Sequence, residues 1–354
     1  MSKPPKSNGK KTKRRSVSLA LQGGGAHGAF TWGVIDRLLE DGRLDIRAIT
    51  ATSAGAMNAV AYAAGLGTGG PEGARETLET FWREVSRQGA PLAAVSPPSM
   101  PSSFDAINPF GAWTPFSFVT ALTSFASPYD LNPFDYNPLR DALSRSIDFD
   151  AVRAADVDLH IAATNVETGR IKVFEGDEVT LDAVLASACL PQTFKAVEID
   201  DAPYWDGGYL GNPSLFPLVY SGAPRDVLLV TLNPLRRDGV PKSAGAIQDR
   251  LNEISFNSAL FSELRAIAFV QKLLDENWLT DRVRGRYRRL NIHAIRGGEA
   301  LCDMTLESKY DTRWSFLTSL RDRGRDYAEI WLGSCCDKVG KRSTIDLQKE
   351  FLDA

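Results

Sequence analysis

The chain has 354 residues, of which 43% are hydrophobic and 24% are charged, a composition typical of a globular protein. It contains no run of about 18 apolar residues, so we predict no membrane-spanning helix. The net charge is −3, but residues 1–15 carry seven Lys or Arg and no acid, which leaves −10 on the remainder. An acidic body argues against a nucleic-acid groove, and we expect the basic segment to be a disordered tail.

The four cysteines show neither C-x-x-C spacing nor the pattern of a disulfide framework. We therefore predict reduced thiols in a reducing compartment and no zinc site. No apolar segment of the secretory type follows the basic residues, so the predicted location is cytoplasmic. The cysteines are Cys189, Cys302, Cys335 and Cys336.

The first 65 residues alternate between strand and helix patterns. Residues 16–22 and 44–50 are apolar enough for two buried strands. The first strand runs into the loop "GGGAHG" (23–28) and then an amphipathic helix that ends at Gly42. The second runs into "ATSAGAMNAVAYAAG" (51–65), whose small residues suit a helix packed tightly on a sheet. This order predicts a parallel sheet covered by helices.

A helix is predicted over 72–87, and the composition then changes. Residues 88–138 hold nine of the 19 prolines and six phenylalanines. Such a segment cannot form a continuous helix or a central strand, and its aromatic content argues against simple disorder. We predict a cap-like insertion. Its aromatic residues, Trp113 among them, would partition into a membrane surface if the segment acts as a lid, and would pack on the core if it is a fixed cap.

Regular patterns return after Pro138, and no internal repeat is visible. The predicted organisation is a tail over 1–15, a catalytic domain over 16–240 with the insertion, and a helical part over 241–354 packed on the same domain. Strands are predicted at 158–166, 169–176, 195–199, 226–233 and 287–296, and helices at 138–147, 180–190, 245–280 and 313–333.

The glycine loop admits two interpretations. Gly23, Gly25 and Gly28 fit G-x-G-x-x-G after a strand and before a helix, which is typical of a dinucleotide site. That site also needs an acid near the end of the second strand, and Asp45 precedes the strand body. We therefore favour a loop whose amides hold a different anion.

A serine lies where the dinucleotide interpretation requires an acid. Ser53 follows the second strand and precedes a helix, between Thr52 and Ala54. A strained strand–turn–helix elbow needs very small residues two before and two after the nucleophile, here Ala51 and Gly55. The helix dipole there favours developing negative charge. The alternative is an ordinary N-cap serine.

A third motif is "YWDGG", in which Asp206 is followed by Gly207 and Gly208. An isolated aspartate before two glycines is more often a turn former than a base. In combination with the glycine loop and the serine turn, Asp206 becomes a candidate general base.

The three motifs in this order resemble the patatin-like phospholipase family. The similarity extends over residues 16–235 and also includes "ASACLPQTF" (186–194) and "DGGYLGNP" (206–213). It implies a three-layer α/β/α fold with a mostly parallel central sheet. It also implies a lipid acyl hydrolase, acting on phospholipid or lysophospholipid, with Ser53 as nucleophile and Asp206 as base. No metal or cofactor is implied, and the sequence carries no signal for an oligomeric state.

The resemblance also implies an oxyanion hole formed by backbone amides of the glycine loop. The amides at 24, 25 and 26 are the implied donors. The whole loop comprises Gly23, Gly24, Gly25, Ala26, His27 and Gly28.

Two residues depart from the family pattern. Glycine is usual at the position of Ala51, and Arg or Lys at that of His27. The extra methyl of Ala51 is tolerable if the backbone there does not need a positive φ. His27 can be neutral at pH 7, which weakens the case for a fixed cation beside the loop.

Two alternatives stay open on the sequence. A Ser-His-Asp esterase would use His293, since the order Ser53, Asp206, His293 matches one hydrolase class. However, His293 and His160 lie in strand-like runs rather than loops. The other alternative, suggested by the two departures, is a catalytically weak protein that binds lipid or a partner.

Overall fold

The computed structural model describes residues 14–93, 127–280, 282 and 286–353. Within these ranges eight strands form one sheet. The strands are β1 (Arg15–Leu21), β2 (Leu44–Ala51), β3 (Asp158–Asn165), β4 (Arg170–Glu175), β5 (Val197–Ile199), β6 (Ala202–Asp206), β7 (Asp226–Thr231) and β8 (Asn291–Arg296).

The strand order is β5-β6-β3-β2-β1-β7-β8, and β4 pairs with β3 outside this path. The four neighbouring pairs along β3-β2-β1-β7-β8 are all parallel. The strands β4, β5 and β6 add antiparallel pairs at one end. The predicted mostly parallel sheet is therefore confirmed.

Helices cover both faces of the sheet. In addition, short 3-10 helices occupy residues 25–27, 176–178, 207–209, 306–310 and 336–338. The α-helices are α1 (Gly28–Asp41), α2 (Ala54–Ala93), α3 (Pro128–Leu131), α4 (Pro138–Ser146), α5 (Phe149–Ala154), α6 (Leu181–Ser187), α7 (Phe216–Tyr220), α8 (Ala244–Asp275), α9 (Gly297–Ala300), α10 (Trp314–Ser334) and α11 (Leu347–Phe351).

Side chains alternate across the sheet and divide the core into two clusters. Along β1, Leu19 and Leu21 belong to a larger cluster with residues of α1, α2 and α10. Between them, Ala20 belongs to a smaller cluster with residues of α7, α8 and α11. Because β1 and β7 contribute to both clusters, they are buried on both faces, as apolar parallel strands must be. The three-layer α/β/α prediction is confirmed.

The predicted elements are present with shifted ends. Two predicted helices are joined in α2, which is interrupted only at Gly70, a residue with φ 63°. The expected start of irregular structure at residue 88 is wrong, since α2 continues through the proline at 91 to Ala93. The core of the predicted insertion, residues 94–126, lies outside the described residues.

Two further boundaries need correction. Arg15, expected in the tail, opens β1, and its guanidinium donates to the Cys336 carbonyl at 2.6 Å. The hairpin of β5 and β6 replaces the single strand expected at 195–199. Asp200 and Asp201 form its turn with φ 50° and 62°, a conformation that aspartate tolerates better than most residues. Asp206 is therefore the last residue of a strand that was not predicted.

Several negative findings apply to the described part of the chain alone. No helix there is long and apolar enough to cross a membrane. No group of three or more His, Cys, Asp or Glu there could hold a metal ion. The four cysteines are all free thiols.

Candidate active site

Strands β2 and β6 meet end to end along one edge of β3. Ala51 of β2 pairs with Ile161, and Asp206 of β6 pairs with Ala163, only two residues further along. Strand β4 pairs with 160–165 and so occupies the other edge of β3. Because β2 runs parallel to β3 and β6 antiparallel, their carboxyl ends point at each other. This arrangement brings the residues that follow β2 to Asp206.

The serine turn has the geometry of a strained elbow. Ser53 has φ 55°, a left-handed conformation that non-glycine residues seldom adopt. Its N–H donates to the Ser187 hydroxyl at 2.9 Å, and its carbonyl accepts from Met57 at 3.1 Å in the first turn of α2. A Cβ on Gly55 would lie 2.4 Å from the Leu21 carbonyl oxygen, so only glycine fits there.

The other two residues of the motif are also accounted for. Ala51 ends β2 as an ordinary, fully buried strand residue without a positive φ, so its methyl is accommodated as predicted. The Thr52 hydroxyl donates to the Gly211 carbonyl at 2.6 Å. This bond ties the serine turn to the loop that follows Asp206.

Asp206 is 1% exposed and hydrogen-bonded. Its Oδ1 accepts from the Gly208 N–H at 2.6 Å. Burial raises the pKa of Asp206 to about 6, although Gly208, Ser53 and the Lys309 charge each act to lower it. A carboxylate with that pKa is ionised at pH 7 and is a stronger base than an exposed aspartate.

Gly207 and Gly208 permit close approach around the carboxylate. A Cβ on Gly207 would lie 2.2 Å from the Ala162 carbonyl oxygen. A Cβ on Gly208 would lie 2.6 Å from the Phe256 ring of α8. The glycine pair therefore lets the turn after Asp206 fit between β3 and α8.

The glycine loop lies directly against the serine. A Cβ on Gly23 would be 2.7 Å from the Ser53 Cβ, and one on Gly28 would be 2.6 Å from the Ala54 Cβ. Gly25 has φ 58°, and a Cβ there would be 2.4 Å from the Lys309 carbonyl oxygen. Any side chain at these positions would force the loop to shift.

Hydrogen bonds divide the loop amides into two groups. The Gly23 N–H donates to the Asn212 Oδ1 at 2.7 Å, and those of His27 and Gly28 donate within the 3-10 turn. No hydrogen bond to a described residue engages the N–H groups at 24, 25 and 26. These three amides, and not the whole loop, are therefore available to an anion at the serine.

His27 is buried and uncharged at neutral pH. Its Nε2 shares a 2.6 Å hydrogen bond with the Ser308 hydroxyl. Burial, followed by the charge of Lys309, lowers the pKa of His27 to about 3. The side chain anchors the loop to the 3-10 helix at 306–310 and carries no positive charge.

One segment supports both candidate catalytic residues. The Ser187 hydroxyl accepts from the Ser53 N–H, and the Cys189 carbonyl accepts from the Asp206 N–H at 2.8 Å. In the sequence, only the family resemblance indicates that this segment, residues 186–194, lies near the site.

A buried amide network centred on Gln22, which no sequence motif indicates, fixes the loop to the sheet. The Gln22 Oε1 accepts from the N–H groups of Leu232 and Asn233 at 2.6 and 2.8 Å. Its Nε2 donates to the Asn212 carbonyl and the Asn257 Oδ1. The sequence signal for this network is a glutamine between a buried strand and a glycine loop, because a buried side-chain amide needs hydrogen-bond partners.

The structure does not bring His293 to the serine. It lies in β8 at the far edge of the sheet, three strands from β2. It is fully buried, and its ring nitrogens bond to Asp226 at 3.0 Å and Thr344 at 3.2 Å. The Ser-His-Asp alternative has no support in this geometry.

Comparison with known proteins gives a family match. A family model described as patatin-like phospholipase matches residues 19–219, more than half of the chain. No curated protein sequence matches the chain.

Solved structures similar to the chain share little sequence with it. VipD from Legionella pneumophila is 14% identical, with 96% of this chain and 73% of that chain covered and a TM-score of 0.36. ExoU from Pseudomonas aeruginosa, in complex with SpcU, is 16% identical, with 91% and 54% covered and a TM-score of 0.30. The chain thus spans about half the length of ExoU.

Proposed function

Because the chain belongs to the patatin-like phospholipase family, we propose that it hydrolyses the carboxylic esters of lipids through a Ser53–Asp206 dyad. The observation that carries the proposal is the meeting of β2 and β6, which brings a strained serine and a buried carboxylate together. Both a nucleophile and its base are then present at one point of the sheet.

In the first half of the reaction, the Ser53 hydroxyl attacks the ester carbonyl carbon while Asp206 accepts its proton. The carbonyl oxygen becomes an oxyanion, and the amides at 24, 25 and 26 donate to it. Each such donor contributes about 2.7–4 kcal/mol to transition-state stabilisation in comparable sites. Collapse of the intermediate expels the alcohol or lysolipid, which takes the proton from Asp206, and leaves an acyl group on Ser53.

In the second half, Asp206 accepts a proton from a water molecule that attacks the acyl carbonyl. A second oxyanion forms in the same hole. Its collapse breaks the bond to Ser53, which recovers its proton from Asp206, and releases the fatty acid. The cycle needs no group beyond water and the residues named.

Contact with a membrane surface is part of the proposal. After residue 126, the chain exposes a group of aromatic side chains, of which Phe134 is 93% exposed and Tyr129 60%. Exposed aromatic residues partition into lipid headgroup regions. Changing Phe134 to Asp should lower hydrolysis of phospholipid vesicles and leave hydrolysis of a water-soluble ester unchanged.

A cytoplasmic location remains our prediction from the sequence.

The proposal is tested by incubating the protein with a total lipid extract and comparing released species by mass spectrometry. The wild type should release fatty acids and lysolipids, while Ser53→Ala and Asp206→Asn should release none above background. Ser319→Ala, which changes an exposed serine of α10, is the matched control and should behave as the wild type. Lipid binding without release in any variant would favour the catalytically weak alternative.

A further inference from the structure

Lys309 lies in the 3-10 helix at 306–310, which contacts the glycine loop. In the sequence it is far from the family motifs. Its carbonyl oxygen lies against Gly25, where it would be 2.4 Å from an added Cβ. The preceding residue, Ser308, holds His27 at 2.6 Å. Two consecutive residues of this segment therefore contact the glycine loop directly.

The Lys309 ammonium is held in place by two amide oxygens. It donates to the Asn233 Oδ1 at 2.8 Å, just after β7, and to the Asn252 Oδ1 at 2.9 Å on α8. It also lies 5.9 Å from the centre of the Phe256 ring, which packs on Gly208 beside the dyad. Because both acceptors are neutral amides, they do not neutralise the ammonium, and its charge acts on other groups nearby.

The charged groups that face Lys309 come from several elements. Asp206 lies at the dyad, Asp249 and Glu253 on α8, and the neutral His27 on the loop. Glu253 is already paired with Arg237 at 2.6 Å and with Arg250 at 3.0 Å, which offsets its charge. Burial lowers the pKa of Lys309 to about 8, so it is charged at pH 7.

From this placement we infer that Lys309 is a positioning residue, which supplies the fixed positive charge beside the oxyanion loop and the dyad. The inference rests on the proposed function. The family resemblance implies a cation at the position of His27, which is uncharged, and the Lys309 charge acts on both His27 and Asp206 from a distant part of the chain. Its charge favours the ionised form of Asp206 and stabilises the developing oxyanion.

The test compares wild type, Lys309→Met and Lys309→Arg by the pH profile of kcat/KM for a water-soluble ester. In the wild type the rate should rise as Asp206 ionises and fall as Lys309 loses its proton near pH 8. Lys309→Met removes a charge that lowers the pKa of Asp206, so the rising limb should move to higher pH. It should also lose the falling limb, and kcat/KM at pH 7 should drop about tenfold, mainly because the developing oxyanion loses a nearby positive charge.

Lys309→Arg should keep the rate at pH 7 within a few-fold and extend the plateau above pH 8, because arginine stays protonated there. Lys349→Met, at an exposed lysine of α11, is the matched control and should reproduce the wild-type profile. If Lys309→Met lowers the rate without moving either limb, Lys309 is only structural and the inference is wrong. If Lys309→Met does not fold, a falling limb near pH 8 retained in Lys309→Arg overturns it.

A second measurement separates this inference from the proposed function. Titration of Asp206 by carbon-13 NMR, assigned with Asp206→Asn, needs no turnover. The pKa of Asp206 should be higher in Lys309→Met than in the wild type, and an unchanged value contradicts the inference. Absence of ester hydrolysis in the wild type would instead count against the proposed function alone.

Discussion

Ala51 and Asp206 lie on the same edge of β3, paired with residues 161 and 163. Strand β2 runs parallel to β3 and β6 runs antiparallel to it, so the carboxyl ends of β2 and β6 face each other across a short gap. Ser53, two residues past Ala51, enters that gap with φ 55°. Sheet pairing thus places a strained serine beside a buried carboxylate.

The first prediction concerns the pH dependence of the rate. Asp206 must be ionised to accept the serine proton, and its pKa is raised by burial to about 6. Hydrolysis of a water-soluble ester should therefore fall about tenfold per pH unit below 6. A rate that stays constant down to pH 4 would mean that Asp206 has an ordinary pKa or is not the base.

The second prediction concerns stability. The pKa of Asp206 is higher in the folded chain than the ordinary value of 3.8, so its ionisation favours unfolding as pH rises through this interval. Asp206→Asn should raise the free energy of unfolding at pH 8 by up to about 3 kcal/mol and have no such effect at pH 4. Thermal unfolding at both pH values measures this, with the exposed Asp238→Asn as control. Equal melting temperatures of wild type and Asp206→Asn at pH 8 would contradict it.

The third prediction concerns the shape of the glycine loop. Gly25→Ala adds a Cβ at φ 58° against the Lys309 carbonyl, so the loop must move. If the amides at 24–26 hold the oxyanion, kcat/KM should fall by on the order of 10²-fold, the loss typical of one donor. Gly333→Ala in α10, where a Cβ meets open space, should keep full activity. Wild-type kinetics in Gly25→Ala would remove the loop from the mechanism.

The fourth prediction concerns His293. Its bonds to Asp226 and Thr344 link β8 to neighbouring segments, so His293→Ala should lower stability. The protein that remains folded should hydrolyse ester at close to the wild-type rate, because the ring does not reach Ser53. Loss of a triad base would cost about 10⁴-fold or more, a difference that activity per folded molecule resolves.

The sequence was sufficient for what depends on local pattern. The serine elbow, the glycine loop and the D-G-G turn are short motifs of small residues, and each has a geometry that is set within a few residues. Ala51 and Ser53 lie at the strand–helix turn, and Asp206 lies at the glycine turn, as these motifs predict. The buried strand patterns likewise fixed the fold class, because a parallel sheet covered on both faces needs apolar strands.

What the sequence could not reveal depends on tertiary contact. The short β6 contains Pro203, which weakens any strand pattern, yet its pairing with β3 positions Asp206. Gln22 and Lys309 acquire their roles from partners that lie far away in the chain. The amides of Gly23, His27 and Gly28 are engaged in hydrogen bonds and those at 24, 25 and 26 are not bonded to a described residue, a division that cannot be read from the sequence.

The central claim is that Ser53 is a nucleophile activated by Asp206. The most direct measurement is fluorophosphonate labelling at pH 7.5, followed by mass spectrometry of the labelled peptide. We expect one adduct per chain on Ser53 in the wild type, none in Ser53→Ala, and labelling slowed by at least about 10²-fold in Asp206→Asn. An adduct on another residue, or equal labelling rates in the wild type and Asp206→Asn, would contradict it.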